Sequence, residues 1–363
     1  MVTPSLAAGG AERSVVLLSE GFLRRQHQVT IISLYSSTAD FFQPPMGVSR
    51  VALNIAADSR SFAAGLWNNL RRRSALRKAI HATRPDVVIS HMSQTNVLTK
   101  FALSNRDYPL VLVEHSDPAG NTRQRIWQVL RRASYPRATA LVSVSRGVND
   151  YFQWLPESMK VVIPNPVTAP ALELRSKEQR SSEAENRKHI VAMGRLIPIK
   201  GFDRLLMAFA QLALKHSSWD LIILGEGELR SDLEQQVKSL DLTGRIQLKG
   251  LVNDPFAAFR QSDLFVMSSR SEGFPYALLE AMSCGLPAVA MDCGSGPREI
   301  IREGIDGVLV AEGDINALAA AMDHLMSDAD KRQRLAARAP EVLERFGIDQ
   351  VITQWEELFA RIL

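Results

Sequence analysis

Short apolar runs alternate with helical stretches in each half of the chain, and this alternation restricts the fold more than any other feature. The runs fall at 29–34, 87–90, 110–114 and 140–144, then again at 189–193, 221–224, 246–248, 264–267 and 288–291. Strand-like runs joined to helices by short connections are the pattern of right-handed β-α-β units and parallel sheets. The scheme breaks at Pro164-Asn165-Pro166 and in the charged, Ser-rich stretch 175–188, which reads as a linker between two domains. With 363 residues, 46% of them hydrophobic, the chain has material for two cores. Two α/β domains with facing strand ends would leave a deep cleft, the usual place for a ligand.

One segment points to the ligand. From Glu272 to Pro287 the chain sets two carboxylates, Glu272 and Glu280, around a helix start. Pro275 suits a first helical turn, and Gly285 with Pro287 ends the helix before the run 288–291. Free N–H groups at a helix mouth carry roughly half a positive charge and suit a phosphate, while nearby carboxylates accept hydrogen bonds from sugar hydroxyls. Gly273 and Phe274 belong to the same donor-binding segment. Upstream, the run 189–193 feeds Gly194-Arg195-Leu196-Ile197-Pro198-Ile199-Lys200-Gly201 and then an apolar helix expected over 202–214. Ligands of open parallel sheets bind beyond the carboxyl ends of the strands, so Arg195 and Lys200 would face the same phosphates. Arg grips a diphosphate with a planar fork, and Lys supplies a mobile point charge. Each element alone has a plainer reading as solvated loop residues; their combination points to a nucleotide sugar.

These residues carry a resemblance. Gly194-Arg195 with Lys200-Gly201, the Glu-x7-Glu pair, the Asp306-Gly307 turn and the opening Gly9-Gly10-Ala11-Glu12-Arg13 resemble the retaining glycosyltransferases of family 4. The resemblance implies the GT-B fold: two doubly wound, Rossmann-like parallel-sheet domains facing a central cleft. It assigns 1–168 to an acceptor-binding domain, 169–346 to a nucleotide-sugar domain, and 347–363 to a helix that crosses back to the first domain, with Ile352, Trp355, Phe359 and Ile362 on one face. Gln94-Thr95-Asn96, Glu114-His115-Ser116 and Arg131-Arg132-Ala133-Ser134-Tyr135-Pro136 are similar to bacterial enzymes that extend polyprenyl-diphosphate-linked glycans.

The resemblance also implies roles. Arg195 and Lys200 would stabilise the departing diphosphate, Glu272 would hold the hexose hydroxyls and Glu280 the ribose. His115 would stand beside the transferred sugar, Gly10 would touch the donor diphosphate or the acceptor, and Asn165 and the backbone near Val252 would complete donor binding. The donor would be a UDP sugar. The reaction would be transfer of a hexose or N-acetylhexosamine with retention, the leaving phosphate taking the acceptor's proton. Glu114 and Asp117 flank His115, and nearby carboxylates favour imidazolium. A non-hydrolysing UDP-sugar epimerase and a silent nucleotide-sugar sensor would use a similar cleft and remain as alternatives.

Charge separates the halves. Residues 1–170 hold 20 Lys/Arg against 10 Asp/Glu, whereas 171–363 hold 23 against 29. No aromatic-basic interleaving or recognition-helix pattern accompanies the positive half, so nucleic acid is not the expected partner. An anionic membrane surface or a lipid diphosphate fits better. Arg71, Arg72, Arg73, Arg77 and Lys78 form the main basic group, on a helix whose wheel sets Arg73 and Arg77 with Leu66 and Ile80, and Arg71 and Lys78 with Trp67. Arg123, Arg125, Arg131 and Arg132 form a second.

No apolar run approaches the roughly 20 residues that span a bilayer. The expected location is cytoplasmic, peripheral on the inner face of the membrane. The expected first strand is a stub at 1–6, and whether the native start lies upstream of Met1 stays open. Cys284 and Cys293 read as small packing residues. The one Asp-x-Asp, Asp328-Ala329-Asp330, begins a helix rich in Arg and Ala, where acids suit the dipole. Neither a metal nor a cofactor is expected beyond the nucleotide sugar itself.

Overall fold

Every strand among the described residues runs parallel to its neighbours. The computed structural model describes residues 1–55, 62–104, 107–116, 125–169 and 187–363, without the side chains of 39, 62–69 and 125. The chain divides into two units, Met1–Pro166 together with Ile348–Leu363, and Val167–Gly347. In the first, strands β1 (Val2–Thr3), β2 (Thr30–Ser33), β3 (Ser49–Ala52), β4 (Val88–His91), β5 (Leu110–Glu114), β6 (Ala140–Ser143) and β7 (Lys160–Val162) are ordered β3-β2-β1-β4-β5-β6-β7. In the second, β8 (Lys188–Met193), β9 (Trp219–Leu224), β10 (Ile246–Gly250), β11 (Leu264–Met267), β12 (Ala288–Asp292) and β13 (Gly307–Ala311) are ordered β10-β9-β8-β11-β12-β13. Both orders turn back after the third strand, which makes each unit a doubly wound sheet with a switch point, between β1 and β4 and between β8 and β11.

Helices connect the strands. The first unit has α1 (Gly10–Arg24), α2 (Phe62–Thr83), α3 (Ser93–Ala102), α4 (Arg125–Ser134) and α5 (Arg146–Asp150). The second has α6 (Phe202–Ala210), α7 (Arg230–Ser239), α8 (Pro255–Arg260), α9 (Tyr276–Ser283), α10 (Pro297–Ile300), α11 (Ile315–Ser327), α12 (Ala329–Arg338) and α13 (Val342–Phe346). Its core forms where Ile190, Leu221, Ile223, Val266 and Val289 on one face of the sheet meet Leu205, Phe209, Leu318 and Met322.

Differences from the expected elements have local causes. Strands β3, β7 and β13 are absent from the apolar runs because each is an edge strand with a single partner and mixed burial. The helix expected over 202–214 is α-helical only to Ala210 and gives way to turns. Residues 175–186 of the expected linker lie outside the described residues.

The last helix, α14 (Ile348–Ile362), packs on α1 within the first unit. Ile352, Trp355 and Phe359 are buried there and Ile362 is partly buried. Phe22 of α1 meets Trp355 edge-on at 6.1 Å and Phe359 at 5.5 Å. Gly21 lets the backbones approach, since a Cβ there would fall on the Ile352 side chain and 3.0 Å from Cγ1 of Ile348. Truncating a buried Trp typically costs about 3–5 kcal/mol. Trp355→Ala should lower the unfolding midpoint of the first unit by that order in a denaturant titration, whereas exposed Glu357→Ala should stay within about 0.5 kcal/mol. Equal effects of the two would mean that α14 contributes nothing to the unit.

Candidate functional site

At the switch point of the second unit two of the expected donor residues, Lys200 and Glu272, meet, while Gly10 and Asn165 belong to the first unit. The loop after β8 carries Arg195 and Lys200, and the loop after β11 carries Glu272. The two loops meet directly: Nζ of Lys200 donates to Oε1 of Glu272 at 2.6 Å, across 72 positions of sequence. Ser269 Oγ donates to the same oxygen at 2.6 Å, and Ser295 Oγ donates to the Glu272 carbonyl at 2.5 Å. Arg195 is exposed and forms no ion pair among the described residues.

Backbone constraints hold this geometry. Gly201 has φ +63° and N-caps α6, and a Cβ there would fall on the Ser268 carbonyl oxygen, so glycine alone fits. Arg270 ties the loops together by donating to the Pro198 carbonyl at 2.6 Å and to Asp203 at 2.8 and 2.6 Å. That bond holds the Asp203 carboxyl below its usual range. The Lys200 stem lies over Gly194, 3.3 Å from where a Cβ would stand.

Helix α9 starts at Tyr276 behind Pro275, with no side-chain cap and no acid in its first turn. Gly285, at φ +74°, follows its end. Glu280 is 4% exposed on this helix, while Gly273 and Phe274 are buried beside its start, Phe274 edge-on to Phe346 at 5.1 Å. Val252 is partly buried in the loop after β10. Both cysteines are free, and burial, with Glu272 nearby, pushes the Cys293 thiol up to about 12. Asp306 is fully buried and bonds Arg302 and Arg345, so the Asp306-Gly307 segment is an anchor at the start of β13. Asp328 accepts from the Lys331 N–H at 2.7 Å and caps α12.

At the switch point of the first unit the arrangement differs. Gly9 caps α1, and the Glu12 carboxylate folds back onto it, where a Cβ of Gly9 would fall on Oε2. The helix mouth beside Gly10 therefore already faces an acid of its own chain. His115 follows β5, and its Nε2 lies 3.0 Å from Nδ1 of His91, a residue the sequence reading did not single out. Its signal was available, since it directly follows the run 87–90 as His115 follows 110–114. Asn165, nearly fully buried, also bears on the His115 ring.

The expected imidazolium is overturned. Burial pushes His115 down to about 4, and Asn165 offsets this only in part. Alternation along β5 turns Glu114 to the face opposite His115, where Ser93 donates to it at 2.8 and 2.9 Å and Asn96 and Tyr135 also donate. Burial there raises the Glu114 carboxyl above its usual range. Asp117 lies outside the described residues.

The basic groups also divide. On α2, Arg71, Arg73 and Lys78 are exposed, but Arg72 donates to the Ile55 carbonyl at 2.8 Å and Arg77 pairs with Asp107 at 3.1 Å. Ile80 is buried, and the side chains of Leu66 and Trp67 lie outside the described residues. In the second group Arg131 is only 5% exposed and lies over the Tyr151 ring, which removes it from any basic surface. Arg132 is exposed over Trp154; Arg123 and the side chain of Arg125 lie outside the described residues. No helix among the described residues is long and apolar enough to cross a membrane.

Both imidazoles are held below the ordinary value of 6.5 by burial. Near pH 6.5 the unfolded chain takes up protons that the folded unit refuses, so stability is fully present above that pH and falls as pH drops toward about 4. The unfolding midpoint of the wild type should decline over this interval, and His115→Gln should decline less steeply. Equal slopes would show that the pair does not resist protonation.

Comparison with known proteins matches this architecture. A family model described as Glycosyltransferase Family 4 matches residues 8–169, and one described as Glycosyl transferases group 1 matches 175–342. A Campylobacter jejuni GalNAc-α-(1→4)-GalNAc-α-(1→3)-diNAcBac-PP-undecaprenol α-1,4-N-acetyl-D-galactosaminyltransferase is 27% identical over 99% of this chain and 98% of its own. An uncharacterized glycosyltransferase of Haemophilus influenzae is 23% identical over 96% of both. Among solved structures, Anabaena HepE in complex with UDP superposes with a TM-score of 0.79 at 19% identity, over 99% of this chain and 98% of that one. The sucrose-phosphate synthase of Thermosynechococcus elongatus does so with 0.84 at 18%, over the same shares. These neighbours have the GT-B fold. With a family-4 N-terminal half and a group-1 C-terminal half, the chain belongs to the GT-B glycosyltransferases.

Proposed function

We propose that this glycosyltransferase moves a hexose or N-acetylhexosamine, with retention, from a UDP sugar to a polyprenyl-diphosphate-linked glycan at a membrane surface. The observation that carries the reading is the Lys200–Glu272 pair at the switch point of the second unit, with exposed Arg195 on the same loop and the uncapped start of α9 after Glu272. Support for the acceptor comes from the full-length similarity to the Campylobacter enzyme, whose name specifies an undecaprenyl-diphosphate glycan.

In this reading the acceptor hydroxyl attacks the anomeric carbon on the face that UDP leaves. The bond to the phosphate oxygen breaks, and a leaving-phosphate oxygen takes the hydroxyl proton. Negative charge grows on the diphosphate, where Arg195, Lys200 and the α9 N–H groups neutralise it without a metal. Glu272 aligns the lysine in the free protein and holds hexose hydroxyls in the complex, while Glu280 holds the ribose. The resemblance gives His115 the contact with the transferred sugar. An epimerase would act on the donor alone, so the requirement for an acceptor separates the classes.

Incubation with a panel of UDP sugars should show one that raises the melting temperature and labels a polyprenyl-linked acceptor, at a rate that a chelator leaves unchanged. A charged hydrogen bond is worth about 1.5–3 kcal/mol, so Arg195→Ala or Lys200→Ala should cost at least about tenfold in transfer while leaving the fold intact. Transfer within about twofold of wild type in both would take the pair out of the reaction. For the membrane, a cation near an anionic leaflet adds roughly 1 kcal/mol. Changing exposed Arg71, Arg73 and Lys78 to Glu should abolish salt-sensitive sedimentation with anionic liposomes and leave donor-induced stabilisation normal. Unchanged sedimentation would make α2 ordinary surface.

A further inference from the structure

Glu272 is tied to its surroundings through both backbone and side chain. Its carbonyl accepts from Ser295 Oγ at 2.5 Å, and Oε1 of its carboxylate accepts from Lys200 Nζ and from Ser269 Oγ, each at 2.6 Å. The other oxygen, Oε2, accepts no hydrogen bond among the described residues and is not sealed from solvent. The two oxygens of this carboxylate therefore differ. Each has about two acceptor sites, so Oε1 is filled by the chain itself and Oε2 is open.

Ser269 is 2% exposed and stands in the loop after β11, three residues before Glu272. Its neighbours serve the other loop. Ser268 Oγ donates to the Lys200 carbonyl at 3.2 Å, the Arg270 N–H donates to the Ile199 carbonyl at 2.8 Å, and the Arg270 guanidinium donates to the Pro198 carbonyl at 2.6 Å. The backbone of Lys200 is thus fixed without Ser269, whose hydroxyl goes to the carboxylate instead. With the Glu272 backbone pinned by Ser295, two donors on Oε1 set the rotation of the carboxylate and so the direction of Oε2.

The two donors differ in kind. The Lys200 ammonium sits on a long stem, keeps 22% exposure and has three N–H groups, so an arriving diphosphate draws on it. Ser269 is neutral, buried and short, and an anion does not redirect it. We propose that Ser269 is a positioning residue for Glu272: its hydroxyl keeps Oε1 in place while Lys200 is shared with the donor diphosphate, so that Oε2 stays turned toward the hexose hydroxyls. This role rests on the one given to Glu272 above.

The test measures UDP inhibition, and transfer from the UDP sugar that the panel above selects, in a double-mutant cycle on the full chain. Ser269→Ala should lower kcat roughly 10- to 100-fold, the worth of a hydrogen bond to a charged group. The inhibition constant for UDP, which carries no hexose, should stay within about twofold of wild type. A loop merely loosened by the change would lose UDP as well, because that loop also fixes the Lys200 backbone. Ser269→Thr restores a hydroxyl and should recover transfer to within about threefold. Glu272→Ala should lower kcat at least as far as Ser269→Ala, and adding Ser269→Ala to it should change transfer by less than about twofold, since the serine then has no carboxylate to hold. Near-wild-type transfer by Ser269→Ala, UDP affinity lost in step with transfer, or an undiminished effect of Ser269→Ala without the Glu272 carboxylate overturns the proposal. Should the methyl of threonine not fit the buried site, the cycle with Glu272→Ala decides alone. If Glu272→Ala transfers at the wild-type rate, the hexose role of Glu272 is wrong and the role of Ser269 falls with it. An impaired Glu272→Ala beside an unimpaired Ser269→Ala leaves the first role standing and removes only the second.

Discussion

Parallel strand direction is the constraint on which the rest depends. When every strand points the same way, every loop that follows a strand emerges at one edge of its sheet, and reversal of the winding at the switch point leaves two neighbouring loops with no helix between them. In the second unit that gap receives the loops after β8 and β11, and in the first it receives those after β1 and β4. Lys200 and Glu272 meet at that gap and share a hydrogen bond across 72 positions, whereas His91 and His115 share one across 24 because β4 and β5 are neighbours in register.

The Lys200–Glu272 pair is not mainly a device of stability. Its side chains retain 22% and 10% exposure, and a pair that still touches water contributes about 0–1 kcal/mol. Its effect is positional. The carboxylate holds the ammonium at the sheet edge without fully desolvating it, so a diphosphate arriving there would meet a cation already in place. Arg270 does comparable work one layer out, since its bonds to Pro198 and Asp203 fix the turn from which Lys200 projects. The rule that strand ends carry ligand-binding loops identified Lys200 and Glu272 separately, but their direct bond depends on the register between β8 and β11, which spacing along the chain does not contain.

What could be read in advance follows burial. Interior strands such as β5, β11 and β12 are apolar throughout and stand out from their surroundings. Edge strands β3 and β7 read Ser-Arg-Val-Ala and Lys-Val-Val, because an edge tolerates polar side chains, and they leave little pattern to detect. Charged side chains were the hardest to place. Arg131 looks like a surface cation in sequence, yet cation–π contact with Tyr151 and proximity to Ser93 and the buried Glu114 offset its desolvation. Glu114 and His115 are adjacent in sequence, but the two-residue period of a strand sends them to opposite faces, so proximity along the chain misjudged the protonation of the histidine.

The same winding in the two units supports different chemistry, and what occupies the helix mouths makes the difference. Helix α1 follows the switch strand of the first unit and carries Glu12 in its first turn, folded onto Gly9; α6 follows the equivalent strand of the second and carries Asp203, held by Arg270. An acid of the chain itself already answers the dipole at both. Helix α9 has neither an acid in its first turn nor a side-chain cap, and Lys200 stands at the loop that leads into it through Glu272. Of these three helix starts, only α9 has no acid in its first turn. The first unit presents instead a neutral pair of imidazoles, suited to hydroxyl and carbonyl oxygens and poorly suited to phosphate. The two sheet edges therefore differ in charge, a lysine held by a carboxylate in the second unit and a pair of buried imidazoles in the first, although the strand order around each switch point is the same.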